Sequence, residues 1–322
     1  MQIKRISVIG CGRWGSFIAK HLADLGFTVT LYGRATSARM QALLNNRKGA
    51  LMTLPDEVTL CCDLKEALVG ADLTVISIGA QGLRALAGEM RAAGFTDGTL
   101  LLCMKGLEIG TGKRLSTIMK EELGPQAKVA VWLGPGHVQD FCNGTPNCMV
   151  IDSDDADTKH LLVDTLASPL IRFYYGQDLI GNEIGAAAKN VIGIAAGMLD
   201  GLGLSPLKGA LMSRGTREIA RLIKALGGNE LSAYGLCHLG DYEATVFSPH
   251  SHNRGFGEAF VKKEAFGELA EGYYTVKALV TLADVTGVDL PICRTVKAVL
   301  YENASARDAL SKLFARSLKN EF

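Results

Sequence analysis

The chain lacks the usual sequence marks of a nucleic-acid binder, a membrane protein or a disulfide-built secreted domain. Its 34 Lys and Arg nearly cancel 33 Asp and Glu, leaving a formal charge of +1 over 322 residues. No block of like charge occurs, so the basic stripe that neutralises phosphate backbones is missing and no nucleic-acid partner is expected. The short acidic run Asp152-Ser153-Asp154-Asp155 precedes a helical pattern and reads as a solvated cap. The most apolar stretch, Ile184 to Leu199, carries Lys189, Asn190 and several glycines, and is too short and polar to span a bilayer. The first residues form a strand pattern, not a charged segment followed by an apolar one, so no secretory signal and no membrane partner are expected. The 8 cysteines include no Cys-x-x-Cys pair and read as reduced, half-buried small residues, which makes the cytoplasm the expected compartment.

An apolar fraction of 48% and 37 glycines are present, which suits an ordinary globular protein with many tight turns. The length favours two domains. Apolar or β-branched runs of strand length occur at Lys4–Ile9, Thr28–Tyr32, Thr74–Ile78, Thr99–Met104, Lys128–Trp132 and Cys148–Ile151. Helical patterns fall between several of them, at Arg13–Leu25, Leu64–Leu68, Leu83–Ala93 and Arg114–Leu123. Such alternation predicts an α/β, doubly wound, mostly parallel sheet of Rossmann type over residues 1–180. Beyond that point helical patterns follow one another at 181–200, 206–227, 255–263, 272–287, 291–301 and 305–318, predicting an all-α domain over 181–322. Ser305 and Asp308 resemble a capping pair before the last of these helices.

The first strand pattern runs into Gly10-Cys11-Gly12-Arg13-Trp14-Gly15, and a helical pattern opens on it. Strand, G-x-G-x-x-G and helix in that order are the signature of a dinucleotide site. Gly10 allows the tight turn, Gly12 lets backbone amides reach the pyrophosphate, and Gly15 lets helix and strand approach closely. The helix N-terminus favours the anion. An NAD-selective site usually places an acid at the end of the following strand, yet none occurs between Asp24 and Asp56. Arg34, with Ser37 and Arg39, is suited instead to a 2′-phosphate, so NADP is expected over NAD.

A second constellation lies in Glu183-Ile184-Gly185-Ala186-Ala187-Ala188-Lys189-Asn190-Val191. A helix this apolar on every side should be buried, where a lysine is costly unless paired or functional. Gly185, Gly193 and Gly197 stand at four-residue steps around Lys189 and clear one helical face, either for another molecule or for close helix packing. Glu183 and Asp241 are the candidate partners for the ammonium. Downstream, Gly240-Asp241-Tyr242 and Ser251-His252-Asn253-Arg254-Gly255-Phe256-Gly257 offer amide and guanidinium donors ahead of a new helix, suited to phosphate. Cys237, His238, Asp241, His250 and His252 match no closed zinc spacing, so no metal is expected. In the first domain, Lys105 follows one strand and Gly134-Pro135-Gly136-His137 follows another, the ends at which doubly wound sheets bind ligands.

Together these segments resemble the NAD(P)-dependent sn-glycerol-3-phosphate dehydrogenase family of bacterial type. The resemblance rests on Gly10–Gly15 with Trp14, Met104-Lys105-Gly106-Leu107-Glu108, Gly134-Pro135, Ala188-Lys189-Asn190-Val191, Arg214-Gly215, Gly240-Asp241, Ser251 to Gly257, Glu271-Gly272 and Leu290-Pro291-Ile292. It implies reversible hydride transfer between a nicotinamide and C2 of glycerone phosphate, feeding phospholipid synthesis, in a cytoplasmic homodimer. It also implies Lys189 as general acid/base, with Lys105 and Asp241 catalytic beside it. Gly134, Asn190, Ser251, His252, Asn253 and Arg254 would join them in binding the small phosphorylated substrate. Gly10, Gly12, Arg13, Trp14, Gly15, Arg34, Lys105, Val138, His252, Leu269 and Glu271 would contact the cofactor.

Three positions depart from the family pattern. His252 stands where the family has arginine in a Ser-Arg-Asn triplet, and an imidazole lacks the permanent bidentate fork. Gly136 replaces a hydroxyl residue, and Val138 replaces an alanine. They leave open a related dehydrogenase acting on another 2-oxo or 2-hydroxy compound. A non-catalytic dinucleotide-binding sensor is the alternative outside enzymes, against which the retention of a buried lysine argues.

Overall fold

The computed structural model describes residues 2–317 and Asn320. Among these residues eight strands form one sheet: β1 (Arg5–Ile9), β2 (Thr28–Tyr32), β3 (Thr59–Cys61), β4 (Leu73–Ile76), β5 (Thr99–Leu102), β6 (Lys128–Leu133), β7 (Asn147–Ser153) and β8 (Ile171–Tyr175). Their spatial order is β3-β2-β1-β4-β5-β6-β7-β8. Every neighbouring pair is parallel except β6 and β7. The order reverses between β1 and β4, the switch point of a Rossmann sheet, which places a ligand crevice at their carboxyl ends. The central strands β4 and β5 are buried at every position, as expected where helices cover both faces.

β3 and β8 were not anticipated, for different reasons. β3 is only three residues long, with Thr59 exposed and Leu60 and Cys61 half-buried. β8 buries Ile171 and Phe173 while Arg172, Tyr174 and Tyr175 are exposed, so its run reads as amphipathic and not as core. Helix Ala38–Asn46 was also missed; it is polar, with only Met40 and Leu43 buried. Ala156–Leu166 is the helix that the acidic run precedes, and Asp155 caps it.

Two compact units divide the chain. One holds the sheet and comprises residues up to Lys105 together with Arg114–Leu179; the other comprises Gly106–Lys113 and everything from Ile180 onward. The excursion at 106–113 has a packing cause, since Leu107 is fully buried in the core of the helical unit.

In the helical unit, Leu179–Gly201 is buried along almost its whole length. An apolar circumference requires neighbours on all sides. Lys208–Ala225, His252–Lys262 and Glu271–Thr286 meet it at Gly215, Gly257 and Gly272, and Pro291–Tyr301 and Ala306–Phe314 contribute to the same core. Leu179–Gly201 and His252–Lys262 meet backbone to backbone through reciprocal glycines. A Cβ on Gly197 would stand 1.9 Å from the Arg254 carbonyl oxygen, and one on Gly257 would stand 2.1 Å from that of Ile194. Ser305 caps the last helix by accepting from the Asp308 amide at 3.3 Å. That helix ends at Phe314 instead of 318, and Leu318 lies outside the described residues.

Candidate functional site

The glycine-rich turn follows β1, and its three glycines have distinct physical reasons. Gly10 adopts φ +115°, and a Cβ there would lie 2.2 Å from the Ser77 carbonyl oxygen at the end of β4. On Gly15 it would lie 1.9 Å from the Gly10 oxygen, so that glycine lets the helix close onto the turn. At Gly12, by contrast, the nearest atom to a Cβ is Arg39 Nη1 at 3.8 Å. Gly12 therefore borders open space. It is also the N-cap of helix Arg13–Asp24 and makes no side-chain cap, and a helix N-terminus favours an anion. These residues fit a dinucleotide pyrophosphate.

Arg34 is exposed just beyond β2. Its carbonyl accepts from the Ser37 amide at 2.8 Å, closing the turn that ends the strand. The Ser37 hydroxyl caps helix Ala38–Asn46, accepting from the Met40 amide at 3.5 Å, while Arg39 reaches back toward Gly12. Trp14, half-buried, stacks on Phe17 at 5.4 Å and lies 5.8 Å from Phe141, both of which are buried in the core.

At the ends of adjacent strands, Lys105 donates to the Gly134 carbonyl at 2.6 Å. Gly136 adopts φ +134°, and a Cβ on it would meet the Phe141 ring at 2.5 Å. The missing hydroxyl residue at 136 is thus explained by a ring that takes its place. Val138, buried, opens the short helix Val138–Cys142 behind that turn.

In the helical unit, Lys189 is buried halfway along Leu179–Gly201. Its ammonium lies 2.9 Å from Asp241 Oδ2 and donates to Thr245 Oγ1 at 2.8 Å. Asp241, from the downstream turn, thus pairs with the ammonium. The cleared glycine face turns out to be filled by the protein itself. His238 lies against Gly185, Thr245 and Asn253 against Gly193, and the Arg254 backbone against Gly197. The glycines serve close packing, and the reading of them as room for another molecule is corrected.

Asn190, next to the lysine, accepts from Asn253 Nδ2 at 3.1 Å. Asn253 Oδ1 in turn accepts from the Gly272 amide at 2.9 Å, which ties the start of Glu271–Thr286, and with it Glu271, to the Lys189 helix. Ser251 caps helix His252–Lys262, accepting from the Arg254 amide at 3.3 Å. The Arg254 guanidinium donates to Ser248 O at 3.2 Å, Asp200 Oδ2 at 2.8 Å and Glu258 Oε2 at 3.1 Å. His252 is half-buried, with Nδ1 3.9 Å from Glu268 Oε2. Leu269 is exposed.

Thr245 went unread in the sequence, and His238 and Tyr242 were named there without the role they take here. Thr245 sits in a π-helical turn, Glu243–Phe247, which the spacing from Asp241 does not announce. His238 and Tyr242 are fully buried and hydrogen-bonded to each other, joining Asp241 in one turn. Burial pushes the His238 imidazole down to about 4, so it is neutral, and it pushes the Tyr242 phenol up.

Residues 5–159 match the family described as NAD-dependent glycerol-3-phosphate dehydrogenase N-terminus, and residues 178–311 match the corresponding C-terminus. The glycerol-3-phosphate dehydrogenase [NAD(P)+] of Prosthecochloris aestuarii is 35% identical, covering 98% of this chain and 99% of its own. A crystal structure of glycerol-3-phosphate dehydrogenase from Coxiella burnetii superposes with a TM-score of 0.91 at 27% identity, covering 98% of this chain and 99% of that one. The Saccharomyces cerevisiae enzyme, at 20% identity, shares the fold with a TM-score of 0.80 over 96% of this chain and 99% of that one. The chain belongs to the NAD-dependent glycerol-3-phosphate dehydrogenase family.

Proposed function

We propose that the chain reduces glycerone phosphate to sn-glycerol 3-phosphate with NADPH, reversibly, and that Lys189 is its general acid/base. The observation that carries this is a buried ammonium held between Asp241 and Thr245 on a largely apolar helix. Such a charge is costly to bury, and a carboxylate with a hydroxyl beside it offsets that cost and aims it.

A bound nicotinamide supplies the two-electron reductant. Lys189 then supplies what the ketone still needs: its ammonium stabilises charge developing on the C2 oxygen and donates a proton to it, becoming the amine. In the reverse direction the amine takes the hydroxyl proton. Asp241 holds Nζ in place, and Asn190 and Asn253 fix the neighbouring backbone. Gly10, Gly12, Arg13 and Gly15 would hold the pyrophosphate, with Trp14, Val138, Leu269 and Glu271 as further cofactor contacts. Arg34 would meet a 2′-phosphate, making NADP the preferred form. Lys105, Gly134, Ser251, His252 and Asn253 would bind the phosphorylated substrate. For Arg254, whose guanidinium serves Asp200 and Glu258, we assign support of the His252-Asn253 segment.

On this reading residues 1–180 are the dinucleotide-binding domain and 181–322 the substrate domain. The family resemblance supports a cytoplasmic homodimer that supplies glycerol phosphate to phospholipid synthesis. Among the described residues no helix is long and apolar enough to cross a membrane.

The test is NADPH oxidation with glycerone phosphate, comparing wild type with Lys189→Ala. A loss of about 10²-fold or more in kcat is expected; equal activity would sink the assignment of Lys189. His252 favours one rival, a relative acting on an unphosphorylated 2-oxo compound. A panel of phosphorylated and unphosphorylated 2-oxo substrates separates the two.

A further inference from the structure

We propose that His238 and Tyr242 form a staple that fixes the Asp241 turn on the Lys189 helix and so positions the carboxylate that serves the Lys189 ammonium. It rests on Lys189 being the acid/base of the reaction above. Both act on the ammonium through the turn that carries Asp241 and Thr245, which makes them positioning residues.

His238 Nδ1 lies 2.8 Å from the Gly185 carbonyl oxygen. A carbonyl can only accept, so Nδ1 carries the proton and Nε2 is bare. Tyr242 therefore donates its hydroxyl to Nε2, at 2.8 Å. The imidazole spends both nitrogens in this arrangement and works only when neutral. A protonated ring would present a second donor to the phenol and a second cation beside Lys189. Burial, with the Lys189 charge acting the same way, keeps the ring neutral against the pull of the Gly185 carbonyl and of Asp241. Gly185 admits the ring because a Cβ there would already stand 3.0 Å from His238 Cβ.

The geometry makes two parallel links between one helix and one turn. Gly185 and Lys189 are one helical turn apart on the same face, and His238 and Asp241 lie in one tight turn. One link is Gly185 O to His238 Nδ1, and the other is Lys189 Nζ to Asp241 Oδ2 at 2.9 Å. Tyr242 extends the staple to Thr245. Its carbonyl accepts from the Thr245 amide at 3.1 Å and the Val246 amide at 2.7 Å, which sets the π-helical turn bearing the hydroxyl on Lys189. The ionisable groups facing this assembly are Lys189 and Asp241 around His238, and Glu218 and Cys293 around Tyr242, where Thr216 Oγ1 also approaches the phenol at 3.5 Å. Glu183 is the further buried charge on the lysine's own helix.

The experiment uses the full-length enzyme as Tyr242→Phe, His238→Asn, the double variant and Lys189→Ala, each read as kcat against pH with NADPH and glycerone phosphate. Reduction requires the ammonium, so activity declines at high pH as Lys189 deprotonates. A carboxylate no longer held at Nζ lets that proton leave earlier. We expect Tyr242→Phe to lower kcat by about tenfold to a hundredfold, with KM for NADPH nearly unchanged. Its high-pH limb should move down by about one pH unit. His238→Asn keeps a donor for Gly185 but offers Tyr242 no ring nitrogen, and should behave alike. The double variant should be no worse than either single one, because the two residues act as one unit. A limb that stays at the wild-type pH in both single variants overturns the staple, as does a double variant whose losses multiply. Full activity in Lys189→Ala would instead overturn the acid/base reading, so the two failures are distinguishable.

Discussion

Gly136 holds φ at +134° with the Phe141 ring 2.5 Å from where its Cβ would stand. Restoring a hydroxyl there, as Gly136→Ser, places a side chain in a left-handed conformation and against a ring. We expect a loss of about 1–3 kcal/mol in urea unfolding. The added substitution Phe141→Leu should return part of that loss. A Gly136→Ser protein as stable as wild type would show that the turn relaxes and that the ring does not dictate glycine.

Asp241→Asn keeps the shape of the side chain and removes its charge. The Lys189 ammonium, buried with Asp241 at 2.9 Å, then loses its counter-charge. Breaking a buried pair from one side costs about 3–5 kcal/mol, so unfolding midpoints should drop alongside kcat. If the variant lost activity at unchanged stability, the pair would be purely catalytic and its structural role would be refuted.

Cofactor choice separates Arg34 from Arg39. Arg34→Ala should weaken NADPH by about tenfold in kcat/KM, the worth of a charge-assisted hydrogen bond, and leave NADH untouched. Arg39, whose guanidinium approaches Gly12, should on replacement weaken both cofactors alike. Equal effects of Arg34→Ala on the two would remove it from the 2′-phosphate.

Two buried groups pull the pH dependence of stability in opposite directions. The His238 imidazole, lowered from 6.5 to about 4, contributes stability at neutral pH that is lost as pH falls through that interval. Glu218 accepts from the Ile292 and Cys293 amides, yet burial pushes its carboxyl up from 4.5 to about 7. A raised acid destabilises the fold as pH rises through that interval, because the folded state then binds more protons than the unfolded one. Between about 4.5 and 6.5 the two slopes oppose each other. Glu218→Gln removes one of them, so its stability should climb relative to wild type by about 3 kcal/mol from pH 4.5 to 7. Urea unfolding across that range measures it, and a constant difference between the two proteins would contradict the assignment.

The dinucleotide half of the candidate site was legible because its signals are local. A strand, three glycines at fixed offsets and a helix lie in one short segment; Gly10 and Gly15 answer to close neighbours in that segment or just past β4, and Gly12 borders open space. Lys189 was legible because a charge in an apolar helix conflicts with its surroundings. Thr245, His238 and Tyr242 were not. Their roles depend on a turn folding back onto a helix some fifty residues earlier, and a π-helical turn changes which residues share a face. The glycines around Lys189 announced a cleared face, but what fills it is set by packing.

By itself the sequence determined the elements and the chemistry: the alternating pattern of a Rossmann sheet, the helical second half, the turn for an anion and a lysine that burial makes costly. Periodicity, glycine placement and charge in an apolar run are properties of neighbours along the chain, and they survive without coordinates. Tertiary structure decided which carboxylate holds the lysine, that Arg254 is committed to Asp200 and Glu258, and that Phe141 excludes a side chain at Gly136. Those choices are distances between segments remote in sequence, and only folding fixes them.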